Sequence, residues 1–539
     1  MSDLVYLAFP PGWSFMTGSP HLALPLLRGF LASNGIQALT RDLNIEAAFE
    51  YHIGLDARSA TRSCHPPTLA NMNHPYFAAE DALMAVAKEY GGSWNAQLGF
   101  VYSDSPEKGS SSALAALDRS SPFDKLLEHT VQDIMRQAPR LVGLCLASVT
   151  QIVPSFQLCH RLRKAGFEGF IALGGNTVSR LSNELAVRPV FALVDGLIVF
   201  QGETPLLQLC HTLEDGTPLD KVPQLIWRDA ATGIIRRNGK QPVLDLNSVP
   251  PPDFAGLPVG QYWGENYLPL VAARGCYYGQ CSFCAIPFGW GESRFAGARS
   301  ANVAFSDMLV LMERHGINRF KFVDEALSPQ FMRSLAERIV SDNVSVEWEG
   351  YVRLESVWSD QSFVDLVARA GFRKGYFGLE LVPSNTRSVL NKNDDTTPEM
   401  LLKTCNSSGI RVHFFTMLGF PGTGEQEAEE TVEFILDHQD DIDTADIVPW
   451  TYAKHTHVPG VEPITTPEED WSVEFSYRGV DDGVLGSEEV REIASRYEEI
   501  VWAEAPRLLH PTYRLVSPWH NKPYPVAAPT SRQSDATME

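Results

Sequence analysis

Short β-rich runs alternate with helix-length amphipathic segments along most of this chain, and no other feature restricts its fold as strongly. In the N-terminal part the candidate strands are LVYLAFP (4–10), IQALTRDL (36–43), LVGLCLASV (141–149), FIALGG (170–175) and VDGLIVF (194–200). Helix-like stretches at 21–35, 154–167 and 204–216 fill the gaps. Strands alternating with helices of this length build parallel βαβ units and a doubly wound α/β sheet. Ligands of such sheets sit at the carboxyl ends of the strands. Those ends carry Pro10, Pro11 and Gly12, then Ser148, Val149, Thr150 and Gln151, then Gly174, Gly175 and Asn176, and last Gln201, Gly202 and Glu203. Small and polar residues there let backbone approach a ligand closely. Ordinary turn chemistry explains any one of these loops; the four together point to a ligand face.

A second rhythm begins after a hairpin-like stretch around Thr232 and Gly233 and a Pro-rich connector, LDLNSVPPPDFAGLP (244–258). Its strands fall at 267–274, 319–325, 345–353, 374–381, 411–420 and 444–450, with helices at 301–316, 329–342, 360–372, 398–409 and 424–439. Six β/α steps at nearly even spacing imply a partial or full barrel with its catalytic face at the strands' C-terminal ends. The expected plan is a first domain over 1–243, a linker over 244–265, a barrel over 266–455 and a small, mostly helical extension over 456–539. A Ser-, Pro-, His- and Gly-rich insertion of unassigned role (51–118) interrupts the first domain, broken by a helical stretch at 76–90. In the extension Ser487 is the expected N-cap of a helix with acids in its first turn.

Single cores stop growing at about 250–300 residues, so a chain of 539 residues has the length for at least two. The 44 basic and 66 acidic residues give a net charge of −22 without a sustained Lys/Arg run, so nucleic acid is not an expected partner. Eight cysteines are too few for a secreted disulfide scaffold. The first residues lack the basic and apolar blocks of a leader, and no apolar run reaches the ~18 residues of a membrane span. The expectation is a cytoplasmic protein with no membrane segment.

Three of the eight cysteines crowd into RGCYYGQCSFC (274–284), as Cys276, Cys281 and Cys284. A structural zinc site requires four ligands and generally a second close pair, which the chain lacks. A plant-type two-iron cluster uses this C-x4-C-x2-C spacing plus a distant fourth cysteine; the only later one, Cys405, falls within a helical stretch. The third reading is a four-iron cluster with three protein thiolates and one iron open to a ligand.

This loop, with aromatic Phe283 just before the last cysteine, resembles the cluster loop of the radical S-adenosylmethionine superfamily, with one residue more than the usual C-x3-C-x2-C. Other strand ends resemble the family in the expected order: Phe-Val-Asp-Glu at 322–325 with Asp324, then Arg353, then Gly378-Leu379-Glu380, then the turn at 418–423 with Gly419 and Pro421. Lys392 also suits that pattern. Together with the opening Phe-Pro-Pro, Gly-Gly-Asn and Phe-Gln-Gly-Glu-Thr of the first part, they resemble the cobalamin-binding radical S-adenosylmethionine enzymes over about residues 3–455. The resemblance implies a Rossmann-like cobalamin domain followed by a partial (β/α)6 barrel. Cys276, Cys281 and Cys284 would hold a [4Fe-4S] cluster. Phe283, Asp324, Arg353, Gly378, Glu380, Gly419 and Pro421 would lie around S-adenosylmethionine, and the loops of the first domain would receive the corrinoid. None of the 14 histidines lies in an Asp-x-His-x-x-Gly sequence, so the cobalamin is expected base-off, with no histidine ligand.

The implied function is methylation of an unactivated carbon in an organic or peptidyl substrate, through a 5′-deoxyadenosyl radical and methylcobalamin. An electron donor such as ferredoxin or flavodoxin would serve it. Two alternatives stay open: a non-methylating cyclisation or rearrangement, and a degenerate binding module without activity. The catalytic acid and base are unassigned. His455 and His457 in YAKHTHVPG are candidates, and the aromatic residues from Trp450 to Trp519 could either close over a substrate or build the extension's own core.

Overall fold

The computed structural model describes residues 2–13, 19–50, 84–95, 99–240, 244–262, 266–291, 295–382, 390–392 and 396–509. Most of the expected helix at 76–90, the first half of the insertion and Trp519 lie outside them. The first sheet contains β1 (Ser2–Phe9), β2 (Ala38–Asp42), β5 (Pro139–Cys145), β6 (Phe170–Gly174), β7 (Gly196–Ile198), β8 (Leu225–Arg228) and β9 (Ile235–Arg237); β3 (Gly92–Asn95) and β4 (Gly99–Tyr102) form a separate hairpin. The sheet order is β2-β1-β5-β6-β7-β8-β9. Strands β1, β2, β5, β6 and β7 run parallel, and the hairpin β8–β9 adds two antiparallel strands at the edge. Leu7, Leu144, Leu173 and Leu197 are almost fully buried, as expected of strands covered on both faces. The order reverses between β1 and β5, which opens a crevice at their carboxyl ends.

The second sheet is all parallel, in the order β10 (Leu268–Leu270), β13 (Arg319–Phe322), β14 (Glu347–Val352), β15 (Phe372–Glu380), β16 (Arg411–Thr416) and β17 (Thr444–Ala445). The intervening helices are Ala301–His315, Pro329–Ser341, Gln361–Arg369, Pro398–Ser407 and Glu425–Asp437. Four have a Ser, Thr or Asp cap, at Ser300, Ser328, Asp360 and Thr397, each accepting a backbone N–H of the first turn.

The structure corrects three expectations. The strand expected at 267–274 is broken: β10 ends at Leu270, and β11 (Ala273–Gly275) pairs antiparallel with β12 (Phe295–Ala298). The break follows from Asp324, whose carboxylate takes the N–H groups of Ala272 and Ala273. Among the described residues the extension is not mostly helical, because β18 (Tyr452–Ala453), β19 (Val461–Ile464) and β20 (Glu474–Gly479) form a three-stranded antiparallel sheet beside the helix Ser487–Glu504. That helix is capped at Gly486, with Glu489 accepting the Gly486 N–H at 2.8 Å. Ser487 instead accepts the N–H of Tyr477 at 2.6 Å.

The later half of the insertion belongs to the first core, where Trp94, Phe100 and Tyr102 are buried. It also holds the extension: the Trp471 N–H reaches the Lys108 carbonyl at 2.7 Å, and the Ser110 N–H reaches Asp470 at 2.7 Å. Trp471 is fully buried, edge-on to Phe156, while Trp450, Tyr452 and Tyr477 build a second core. The extension's described aromatic rings therefore serve packing. Among the described residues no helix is long and apolar enough to cross a membrane.

Candidate functional site

The three cysteines lie in the connection between β11 and β12, ahead of the short helix Ile286–Gly289. All three are half-buried and free of disulfides. The connection is stitched to the second sheet along its length. Tyr277 donates to Glu355 at 2.8 Å, Tyr278 donates to the Asn391 carbonyl at 2.7 Å, Asn391 donates to the Gln280 carbonyl at 2.7 Å, and the Ser282 N–H reaches the Leu390 carbonyl at 3.0 Å. These contacts dock the stretch from Tyr277 to Ser282 against the second sheet and the segment at 390–392.

Burial pushes the Cys284 thiol up to about 12, and the neighbouring Cys281, Cys276 and Glu325 add to the shift. Cys281 is raised by burial too, against Lys392 and Arg353, which favour its thiolate. Two buried thiols that resist ionising need a positive centre to hold them as thiolates. Among the described residues no three His, Cys, Asp or Glu side chains converge as one metal ion would require. A donor set of sulfur alone, spread around a loop, suits an iron–sulfur cluster better than a single zinc ion.

Residues expected around the cosubstrate gather at this loop. Arg353, 7% exposed, donates to Glu355 at 3.0 Å and stacks its guanidinium 3.6 Å from the Tyr278 ring. Glu380 ends β15 with a φ of +60° and pairs with Lys392 at 2.9 Å. Lys392 also donates to the Gly378 carbonyl. A β-carbon on Gly378 would stand 2.6 Å from Glu380 Oε1 and 2.7 Å from Lys392 Nζ, so only glycine leaves this pair undisturbed. Phe283 meets Phe420 edge-on at 6.1 Å. Gly419 and Pro421 lie in the turn that packs on Val490 of the last helix. Asp324 is 1% exposed, and burial holds its carboxyl at about 8 against the backbone donors Ala272 and Ala273. It braces the cysteine hairpin from behind.

A cavity of about 580 Å³ opens between the first sheet and this hairpin. Its inner wall is apolar, with Leu7, Leu144 and Leu173 from the sheet facing Leu24, Leu27 and Leu206 from the helices Ala23–Ser33 and Glu203–Asp215. Of the residues expected to receive the corrinoid, Gly174, Gly175, Asn176, Gln201, Gly202 and Glu203 line it. Gly175 has a φ of +102°, and a β-carbon there would strike the Leu146 carbonyl. Pro10, Pro11, Ser148, Thr150 and Gln151 do not line the cavity. Gln151 donates to the Pro10 carbonyl at 2.7 Å and accepts from Ala147 and Ser148, while Thr150 bonds Ser148 and the Gly12 carbonyl. Pro11 is buried beside them. These residues lock the loop after β1 to the loop after β5.

Four residues that sequence reasoning did not single out complete the cavity. Arg274 and Glu203 form a buried, forked ion pair between the hairpin and the first sheet's helix. Burial alone would raise Glu203, but the charge and hydrogen bonds of Arg274 outweigh it and hold the carboxylate below its ordinary range. Trp290 donates to Glu325 at 3.2 Å, and both line the cavity. His21, also in the wall, stacks on Phe9 and is held neutral, its pKa lowered by burial to about 4. Its Nδ1 accepts the Ala23 N–H at 3.4 Å. Arg274 stood in the quoted cysteine motif and Glu325 beside Asp324; for His21 and Trp290 the sequence carries no signal. His455, a candidate acid or base, stacks on Phe288 and bonds the Arg180 carbonyl at 2.7 Å.

No protein-family model matches the chain. Among curated proteins, 222 residues are 22% identical to an anaerobic magnesium-protoporphyrin IX monomethyl ester cyclase from Synechocystis sp.; the match spans 38% of this chain and 41% of the cyclase. Among solved structures, the chain is similar to TsrM, a radical S-adenosylmethionine methyltransferase from Kitasatospora setae solved with cobalamin and a [4Fe-4S] cluster. The TM-score is 0.53 at 16% identity, over 86% of this chain and 81% of TsrM. It is also similar to OxsB, a cobalamin-dependent S-adenosylmethionine radical enzyme solved with aqua-cobalamin and S-adenosylmethionine, with a TM-score of 0.54 at 13% identity over 81% of this chain and 52% of OxsB. The chain has the fold of the cobalamin-dependent radical S-adenosylmethionine enzymes.

Proposed function

We propose that this chain is a cobalamin-dependent radical S-adenosylmethionine enzyme that methylates an unactivated carbon of a small-molecule or peptide substrate, drawing electrons from a donor such as ferredoxin or flavodoxin. The observation that carries the reading is the shared wall: the apolar cavity at the carboxyl ends of the first sheet adjoins the hairpin that bears the three cysteines. We read the second sheet as the partial barrel of this family and the first as its corrinoid domain. When bound, the cluster and S-adenosylmethionine supply radical chemistry, and the corrinoid supplies a methyl-carrying cobalt. The chain's own residues orient and dry the site. Cys276, Cys281 and Cys284 hold iron. Lys392 and Arg353 bring positive charge to Cys281, where they would favour the carboxylate of a bound cosubstrate. His21 is a neutral imidazole whose Nδ1 accepts a hydrogen bond, so its Nε2 carries the proton and presents a donor rather than a lone pair. On that reading His21 would not ligate a bound cobalamin.

The test is anaerobic purification, cluster reconstitution and addition of hydroxocobalamin, with iron, sulfide and cobalt counted per chain. Close to four irons and one cobalt are expected, and Cys281→Ala should lose the four-iron signal and all cleavage of S-adenosylmethionine. The electron paramagnetic resonance spectrum of the reduced corrinoid should lack nitrogen splitting; splitting that disappears in His21→Ala would make His21 a ligand. The similarity to a cyclase favours a second reading, a non-methylating cyclisation. Formation of S-adenosylhomocysteine by reduced, cobalamin-loaded protein supports methyl transfer, and its absence supports the cyclisation.

A further inference from the structure

Arg274 stands two residues before Cys276, yet its guanidinium crosses to the other sheet. Nη1 donates to Gln201 at 3.0 Å and to Glu203 at 3.2 Å, and Nη2 makes the second bond to Glu203. The side chains of Arg274 and Glu203 are 5% and 4% exposed. Trp290 lies under the guanidinium, 5.7 Å from its ring centroid, and is tied in turn to Glu325. All five of these residues line the cavity. One set of side chains therefore forms both the cavity wall and the anchor of the first cysteine.

We infer that Arg274 is a positioning residue that couples corrinoid binding to cluster assembly, a step beyond the functional reading above and resting on it. A buried ion pair is tolerated only in good geometry, and losing one partner strands the other charge. The hairpin and the first sheet accordingly have one low-energy seating, in which the fork to Glu203 is made. Three cysteines bound to one cluster hold the backbone at Cys276 and restrict Arg274 to that seating. A ligand filling the cavity rests against the same guanidinium wall and selects the same arrangement. Two ligands that favour one arrangement strengthen each other's binding by an equal factor.

The experiment measures the dissociation constant of hydroxocobalamin for the full chain, with and without a reconstituted cluster. Wild type should bind at least about 5-fold more tightly with the cluster, at the low end of ordinary coupling between sites. Arg274→Met with Glu203→Leu replaces the pair by apolar groups, an exchange that folds tolerate well. This variant should keep its iron while the ratio falls to about one, as uncoupled sites require. Arg274→Lys, which keeps the charge but not the fork, should give an intermediate ratio, and it decides the matter if the double variant fails to fold. A merely structural role would weaken binding equally in both states. A ratio of one in wild type, or an unchanged ratio in the variants, overturns the inference and leaves the functional reading standing. Failure of wild type to bind any cobalamin overturns that reading, and this inference with it.

Discussion

Asp324 commits both carboxylate oxygens to the main chain, accepting from Ala272 and Ala273, and so shapes the hairpin that carries the cysteines. Burial raises its carboxyl from 3.8 to about 8, with the backbone donors opposing. Between those values the folded chain binds more protons than the unfolded one. Stability from this group is therefore fully present below pH 4 and is lost as pH rises towards 8. Asp324→Asn does not titrate, and its amide nitrogen would face a backbone N–H, which costs about 1–3 kcal/mol. The melting temperature of wild type relative to this variant should consequently fall between pH 5 and 8. A difference that stays level or grows over that range would mean that Asp324 is ionised throughout.

The end of β15 and the segment at 390–392 work as one element. The ladder to β16 slips between Gly378 and Glu380, the Glu380 backbone turns left-handed, and Lys392 closes the gap from outside. Gly378→Ala would push its methyl into Glu380 and Lys392, the mobile ends of two side chains that must then swing apart. We expect S-adenosylmethionine to bind about 10-fold more weakly, roughly 1.4 kcal/mol, with the iron count unchanged; unaltered binding would remove this pair from the cosubstrate site. Such elements were largely legible in the sequence, because helix caps and apolar periodicity are local. The five helices between the second-sheet strands fall where their patterns place them. The break after β10 was not legible, because its cause is a carboxylate more than fifty positions away. Nor was the cap at Gly486, where Ser487, the better local candidate, is engaged by Tyr477. The small-residue loops likewise showed where a ligand face lies but not which residues face it. Gly174 and Gln201 line the cavity, while Thr150 and Gln151, of similar local character, lock two loops together behind it.

At the scale of the whole molecule, the cavity is the space that two sheets and a hairpin leave between them, and among the described residues no side chain fills it against its apolar inner wall. A ligand that fills it must stabilise the chain, by about 2.7 kcal/mol at one hundred times its dissociation constant. In wild type, hydroxocobalamin should therefore raise the melting temperature by a few degrees. Gly174→Leu tests whether this cavity is the site of that gain. A β-carbon at Gly174 would stand 3.5 Å from the Ile198 carbonyl, an ordinary contact, so the strand accepts it and the remaining carbons enter the cavity. Cys276, Cys281 and Cys284 do not line the cavity, which their connection borders through Arg274, Ala285 and Ile286, and their iron should be unaffected. Loss of the thermal gain with intact iron would place the corrinoid between the sheets, within reach of whatever the cluster activates. A full thermal gain in the variant would move the corrinoid elsewhere, and methyl transfer at the hairpin would then lose its donor.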